Sequence, residues 1–91
     1  MIVEISRADP VSGVVKRLRM LDLFAATDDS ACELAYLLTK EDSTSRILDP
    51  SIPEPGVGDI FTVISCPDDL DRVYTLSGFD LKGRPEFSLI G

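Results

Sequence analysis

The most informative absence in this 91-residue sequence is histidine, which does not occur at all. Histidine is the commonest general base and metal ligand in proteins, and it activates the nucleophile in Ser-His and Cys-His pairs. Without it, a zinc site would need four ligands drawn from two cysteines and carboxylates, which is an unusual set. We therefore predict no catalytic, cofactor-binding or metal-binding residues, and we expect that the protein is not an enzyme.

Long apolar runs are also missing. No stretch approaches the roughly 20 apolar residues that a transmembrane helix requires. Residues 1–10 do not combine a basic region with a long apolar stretch, so they do not resemble a signal peptide. Cys32 and Cys66 lie far apart and form no Cys-x-x-Cys pattern. We expect two reduced thiols in a cytoplasmic protein that has no membrane partner.

Positive charge is scarce, since nine Lys and Arg residues face sixteen Asp and Glu residues and the formal net charge is −7. Basic residues cluster within residues 7–19, whereas acidic residues dominate residues 20–71. An acidic surface disfavours direct binding to DNA, RNA and anionic membranes. The charge balance therefore favours a protein partner with a basic surface.

The length of the chain predicts one domain over residues 1–91, because so short a sequence cannot fill two cores. The pattern of elements predicts an α+β fold in the order β-β-α-loop-β-β-β. In this fold one helix packs on one face of an antiparallel sheet.

The clearest element is a helix over residues 28–40. Thr27, Asp28 and Asp29 suit the start of a helix, and apolar residues then recur at the spacing of one helical face. Residues 41–59 contain three prolines and two glycines, which predicts a long loop. Loops of this length are often functional.

Three antiparallel strands are predicted in the last third of the chain, over residues 59–65, 72–79 and 86–90. Gly78 predicts a bulge in the second of these strands, and Gly83 predicts the turn before the third. The last strand is a candidate sheet edge, open to an added strand or to a homodimer.

Residues 9–24 can be interpreted in two ways. An apolar stripe favours a helix, but Pro10 and Gly13 are turn formers and favour a hairpin, which we prefer. In a regular strand Arg17 and Arg19 would point to one side of the sheet. The predicted core is then Ile2 or Val3, Ile5, Leu18, Met20, Phe24, Ala31, Leu34, Leu38, Val63, Tyr74, Leu76, Phe87 and Leu89.

Two clusters deserve comparison with their ordinary structural roles. Cys66 is followed by Asp68, Asp69 and Asp71, but nearby carboxylates raise a thiol pKa, and the acids lack the glycine and glutamate of a calcium loop. A solvated turn is the simpler interpretation. The basic cluster around Arg17 and Arg19 either holds an acidic partner or a phosphate, or neutralises acids of the protein itself.

The function that these observations favour is a small acidic inhibitor or regulator that covers a basic surface on a larger protein. Size and charge of this kind suit regulators from bacteria, phage or mobile elements. One alternative is a nucleic-acid mimic that inhibits a nuclease or a CRISPR-type defence complex, and another is a subunit that self-associates through an edge strand. The residues predicted to contact the partner are Asp28, Asp29, Glu41, Asp42, Asp68, Asp69, Asp71, Arg17 and Arg19.

Overall fold

The computed structural model describes residues 1–44, 53–64 and 71–90. Within these ranges five strands form an antiparallel sheet and one helix packs on it, which confirms the α+β fold and the chain order of its elements. Side by side the strands lie in the order β2-β1-β3-β4-β5, so β2 and β5 are the edges. The elements are β1 (Ile2–Ala8), β2 (Val15–Asp22), α1 (Asp28–Thr44), β3 (Ile60–Ile64), β4 (Arg72–Phe79) and β5 (Pro85–Leu89).

The opening stretch forms the hairpin that its turn chemistry favours. Asp9 organises the turn, because its Oδ1 accepts hydrogen bonds from the backbone N–H groups of Val11 at 2.8 Å and Ser12 at 3.1 Å. Gly13 has a φ of 74°, a left-handed conformation that glycine adopts without steric cost. The turn-forming residues therefore determine the structure of this segment, and the imperfect helical pattern of its apolar residues does not.

A β-bulge in β2 separates the two arginines that the sequence placed on one side of the sheet. Arg19 pairs with Ile5 and Arg17 pairs with Ser6, so Leu18 is an extra residue in β2. Because neighbouring residues of β1 face opposite sides, their partners do so as well. The prediction that Arg17 and Arg19 share a side is wrong: Arg19 faces α1 and Arg17 faces the open side of the sheet.

The start of α1 agrees with the sequence. Thr27 caps the helix, because its Oγ1 accepts a hydrogen bond from the backbone N–H of Ser30 at 3.1 Å. Among the residues described, no helix combines the length and apolar character needed to cross a membrane.

The end of α1 differs from the prediction. The helix continues to Thr44, so Glu41 and Asp42 belong to it and not to the loop predicted over residues 41–59. Neither glycine nor proline occurs at residues 41–44, and Asp42 is held by an ion pair with Arg19 of β2. A contact between distant elements therefore extends the helix beyond its predicted end.

The core lies between α1 and one face of the sheet. Across the two central strands Val3 pairs with Val63 and Ile5 pairs with Phe61, and all four side chains are fully buried. The buried apolar residues are Val3, Ile5, Leu21, Leu23, Ala31, Cys32, Ala35, Tyr36, Phe61, Val63 and Leu76. Half-buried residues packed against them include Leu18, Leu34, Leu38, Tyr74 and Phe87.

Three residues predicted for the core are exposed instead. Met20 is 46% exposed because it lies after the bulge and pairs with Glu4 on the open face, while Leu21 takes the core position. Phe24 is 105% exposed in the segment after β2, and Leu89 is 64% exposed on the edge strand.

The strands β3, β4 and β5 form the predicted meander. The pairing of β4 with β5 shifts between Leu76 and Gly78, so the bulge predicted at Gly78 falls on its neighbour Ser77. Gly83 has a φ of 80° in the turn between these strands. The prediction that the last strand lies at a sheet edge is confirmed.

Candidate functional site

Four arginines of the sheet form ion pairs with the protein's own carboxylates. The pairs are Arg7 with Asp59, Arg17 with Glu4, Arg19 with Asp42, and Arg72 with Asp28. Of the two roles open to the basic cluster, the structure shows internal neutralisation for Arg17 and Arg19, while their contact with a partner stays a prediction. Carboxylates outside these pairs therefore give the surface its negative charge.

Asp28 joins the first turn of α1 to β4. Its carboxylate accepts hydrogen bonds from Nε of Arg72, from Nη2 of Arg72 at 2.8 Å and from the hydroxyl of Tyr74 at 2.7 Å. The Arg72 guanidinium, helped by the Tyr74 hydroxyl, holds the pKa of Asp28 below its ordinary value. The same carboxylate raises the pKa of Tyr74 to about 12, because ionised Tyr74 could no longer donate this bond. Asp28 is thus engaged within the protein.

Asp42 and Arg19 join the end of α1 to β2. Nη2 of Arg19 lies 2.5 Å from Oδ2 of Asp42, and Nη1 of Arg19 donates to the hydroxyl of Thr39 at 3.3 Å. The side chains of this pair are only 25% and 21% exposed. In contrast, Arg17 is 62% exposed on the open face, where its Nε lies 3.3 Å from Oε1 of Glu4.

The ion pair with the most buried carboxylate could not be predicted from the sequence. Asp59 accepts hydrogen bonds from Nε and Nη2 of Arg7, at 2.7 and 2.9 Å, and from the backbone N–H of Gly56 at 2.8 Å. Nη2 of Arg7 also donates to the carbonyl of Glu54 at 2.9 Å. These bonds hold the segment before β3 against β1. No sequence motif links Arg7 to Asp59, which is 52 residues away.

Other predicted contact residues remain displayed. Asp29 and Glu41 on α1 and Asp71 just before β4 are exposed, and within the described ranges no ion pair joins them to a cation. Asp68 and Asp69 lie outside the described residues. The structure therefore divides the predicted acids into engaged and displayed ones.

A groove of about 410 Å³ runs along β5 beside α1. Asp29 and Glu33, one helical turn apart, line it from α1, and Ser77 of β4 and residues 85–88 of β5 line it from the sheet. Glu86 adds a third carboxylate to the lining. Glu33 and Glu86 were not among the predicted contact residues, although the i, i+4 spacing of Asp29 and Glu33 indicates a shared helix face. We refer to this feature as the acidic groove.

The cysteines and the remaining carboxylates show no reactive or metal-binding arrangement among the residues that the structure describes. Cys32 is a free, fully buried thiol, and burial together with Asp28 and Asp29 raises its pKa to about 12. Cys66 lies outside the described residues. Within residues 1–44, 53–64 and 71–90, no three cysteine or carboxylate side chains are placed to hold a metal ion together.

Comparison of the chain with protein-family models, with curated proteins and with solved structures gave no match.

Proposed function

We propose that this protein is a small binding module that covers a basic surface on a larger protein and thereby inhibits or regulates it. The observation that carries the proposal is the division of the carboxylates. Asp28 and Asp42 are engaged by arginines of the sheet. In contrast, Asp29 and Glu41 are exposed on α1, Glu33 is half-buried where it lines the acidic groove, and none of the three forms an ion pair with any residue that the structure describes. The paired arginines leave α1 with a surplus of displayed negative charge.

Exposed carboxylates increase the rate at which a basic partner associates more than they increase its affinity. Exposed ion pairs contribute about 0.2–1 kcal/mol each, and they act mainly on association rate and selectivity. Apolar contacts must supply the rest of the binding energy. Leu37, 50% exposed, lies on the accessible side of α1, and Leu81, 107% exposed, lies in the turn before β5. These two side chains offer exposed apolar contact area.

The experiment compares two double variants that each remove one aspartate and one glutamate charge. Asp29→Asn with Glu33→Gln neutralises the accessible flank of α1. Asp22→Asn with Glu54→Gln neutralises exposed acids away from β5, since Asp22 lies on the opposite edge strand and Glu54 contacts Arg7 of β1. Each protein is immobilised and exposed to an extract of the source cells, and the retained proteins are identified by mass spectrometry.

We expect a partner with a basic surface to be retained by the wild type and by the Asp22/Glu54 variant, and to be lost from the Asp29/Glu33 variant. Retention should weaken as salt is added, because exposed charges are screened. Equal retention of every partner by both double variants would contradict the proposal. Direct recovery of nucleic acid by the wild type would contradict it as well.

A further inference from the structure

We propose that the partner contributes an extended basic segment, which adds to the sheet as a new strand along β5. This inference rests on the proposed function and specifies how the basic surface is held. β5 pairs with β4 on one side and is the last strand of the sheet on the other. An edge strand presents backbone N–H and C=O groups that an incoming strand can pair with.

The register identifies which backbone groups of β5 are available. Ile90 donates its N–H to the carbonyl of Val73 in β4 at 2.8 Å. In an antiparallel pair, residues alternate between bonding to the neighbouring strand and turning their N–H and C=O groups outward. Counting back from Ile90, Ser88 bonds to β4, whereas Leu89 and Phe87 turn outward. Two residues of β5 thus offer a ladder of four backbone groups.

The acidic groove lies where an added strand would run. The lining includes Phe87, whose backbone groups turn outward, together with Asp29 and Glu33 from α1 and Ser77 from β4. Side chains of an added strand alternate between the two faces of the sheet. Those on the α1 side meet the carboxylates of Asp29 and Glu33, and those on the other side meet Glu86. Lys or Arg at these positions complements the charge of the groove.

Negative and positive side chains lie at different ends of β5, which favours one position for the cations of the added segment. α1 begins near the Leu89 end of β5, because Asp28 bonds to Tyr74 and Tyr74 pairs with Leu89. The helix then runs towards the hairpin end, where the rings of Tyr36 and Phe79 lie 5.7 Å apart.

Two basic residues, Lys82 and Arg84, lie in the turn at this hairpin end. They repel cations there, so the Lys or Arg side chains of the segment belong beside Asp29 and Glu33, closer to the end of β5.

The first test compares three peptides as probes in titrations followed by NMR. One peptide alternates lysine and threonine, the second has proline in place of threonine, and the third has glutamate in place of lysine. The lysine–proline peptide keeps the charge but cannot form a regular strand ladder. We expect the lysine–threonine peptide to bind at least about tenfold more tightly than the other two. On binding it, the backbone amides of Phe87 and Leu89 should become protected from hydrogen exchange.

The second test uses variants of the protein. Leu89→Pro removes an outward N–H without removing a bond to β4, and Leu89→Ala is its matched control, because it keeps this N–H. We expect Leu89→Pro to bind the lysine–threonine peptide at least about tenfold more weakly than Leu89→Ala does. If Leu89→Pro does not fold, the three peptides and the amide exchange of the wild type still decide the question.

Equal binding of the lysine–threonine and lysine–proline peptides, with no protection of Phe87 or Leu89, would overturn strand addition. The acidic surface would then still bind cations, and the proposed function would stand. The proposed function itself would be contradicted if the Asp29→Asn, Glu33→Gln variant bound the lysine–threonine peptide as tightly as the wild type does. Sedimentation of the protein alone that shows dimers blocked by Leu89→Pro would assign the edge to a second copy and overturn the inference.

Discussion

The hydroxyl of Tyr74 in β4 donates a hydrogen bond of 2.7 Å to the carboxylate of Asp28 in the first turn of α1. Together with Arg72, whose guanidinium binds the same carboxylate, this contact fixes the start of the helix over the sheet. The position of the acidic groove depends on it, because Asp29 and Glu33 follow in the next residues of α1. Asp28 therefore positions the first turn of α1 over the sheet, with its own carboxylate engaged by Arg72 and Tyr74.

Replacement of Asp28 by asparagine should reduce the free energy of unfolding by about 1–3 kcal/mol, because charged hydrogen bonds to Arg72 and Tyr74 are weakened. Asp29→Asn is the matched control. Both residues lie in the first turn of α1, so both variants lose the favourable interaction with the helix dipole, which is about 0.5 kcal/mol. Urea unfolding followed by circular dichroism measures the difference. Equal losses for the two variants would show that the bonds of Asp28 add nothing.

The contribution of Asp28 to stability should also depend on pH in the acid range. Its pKa in the folded protein lies below the ordinary value of 3.8, mainly because of the Arg72 guanidinium. The stabilisation is therefore fully present above pH 3.8 and is lost as the pH falls through the lower folded value. Unfolding measurements at a series of acid pH values should show the wild type and Asp28→Asn converging in stability. A constant gap down to the lowest pH would contradict the assignment.

Tyr74 should titrate at about pH 12, above its ordinary pKa of 10.0, because the Asp28 carboxylate favours the protonated hydroxyl. Since the folded pKa is the higher one, this stabilisation is complete below pH 10.0 and is lost as the pH rises towards 12. The Tyr36→Phe background leaves Tyr74 as the remaining tyrosine, so tyrosinate absorbance reports it directly. Adding Asp28→Asn should lower the pKa of Tyr74 towards 10.0, and an unchanged titration would refute the contact.

Arg19 and Arg17 provide a matched pair for testing the bulge. Arg19→Ala removes the ion pair with Asp42, so the last turn of α1 should fray and its amides should exchange with solvent about tenfold faster. Arg17→Ala removes a similar side chain from the opposite face, where it contacts Glu4, and the helix end should stay protected. Hydrogen exchange by NMR over residues 40–44 distinguishes the two. Equal effects of both variants would place the arginines on one side after all.

The Cys32 thiol should be unreactive in the folded protein. It is fully buried, and burial beside Asp28 and Asp29 raises its pKa to about 12, so the reactive thiolate is rare at neutral pH. In a Cys66→Ser background, alkylation of Cys32 should proceed only after denaturant is added. Mass spectrometry of native and denatured samples measures the labelled fraction. Rapid labelling of the native protein would mean that α1 does not pack on the sheet as described.

Local chemistry was sufficient to predict most elements of the fold. Gly13 and Gly83 mark turns that need a positive φ, and Thr27 marks the helix start, because each acts through its own backbone or its nearest neighbours. The extra residue at Leu18 could not be predicted this way. Next to it, Arg19 contacts Thr39 of α1, which is 20 residues away in the sequence, and Met20 lies outside the core.

The candidate site was only partly predictable for a related reason. Asp28 and Asp29 are adjacent and chemically alike, yet one is bound by Arg72 and Tyr74 and the other lines the acidic groove. Which of them is free depends on the packing angle of α1 on the sheet. Glu86 likewise becomes a site residue only because β5 lies beside the start of the helix.

The bulge at Leu18 lies in a strand at the edge of the sheet. β2, the other edge, carries Lys16 and Arg17 and resembles in charge the segment proposed for β5. If β2 of one molecule docked on β5 of the next, the head-to-tail contact would not close on itself and would propagate into a filament. The extra residue breaks the regular ladder and bends this edge, which disfavours such pairing. A single extra leucine thus disfavours strand pairing that would propagate from one molecule to the next.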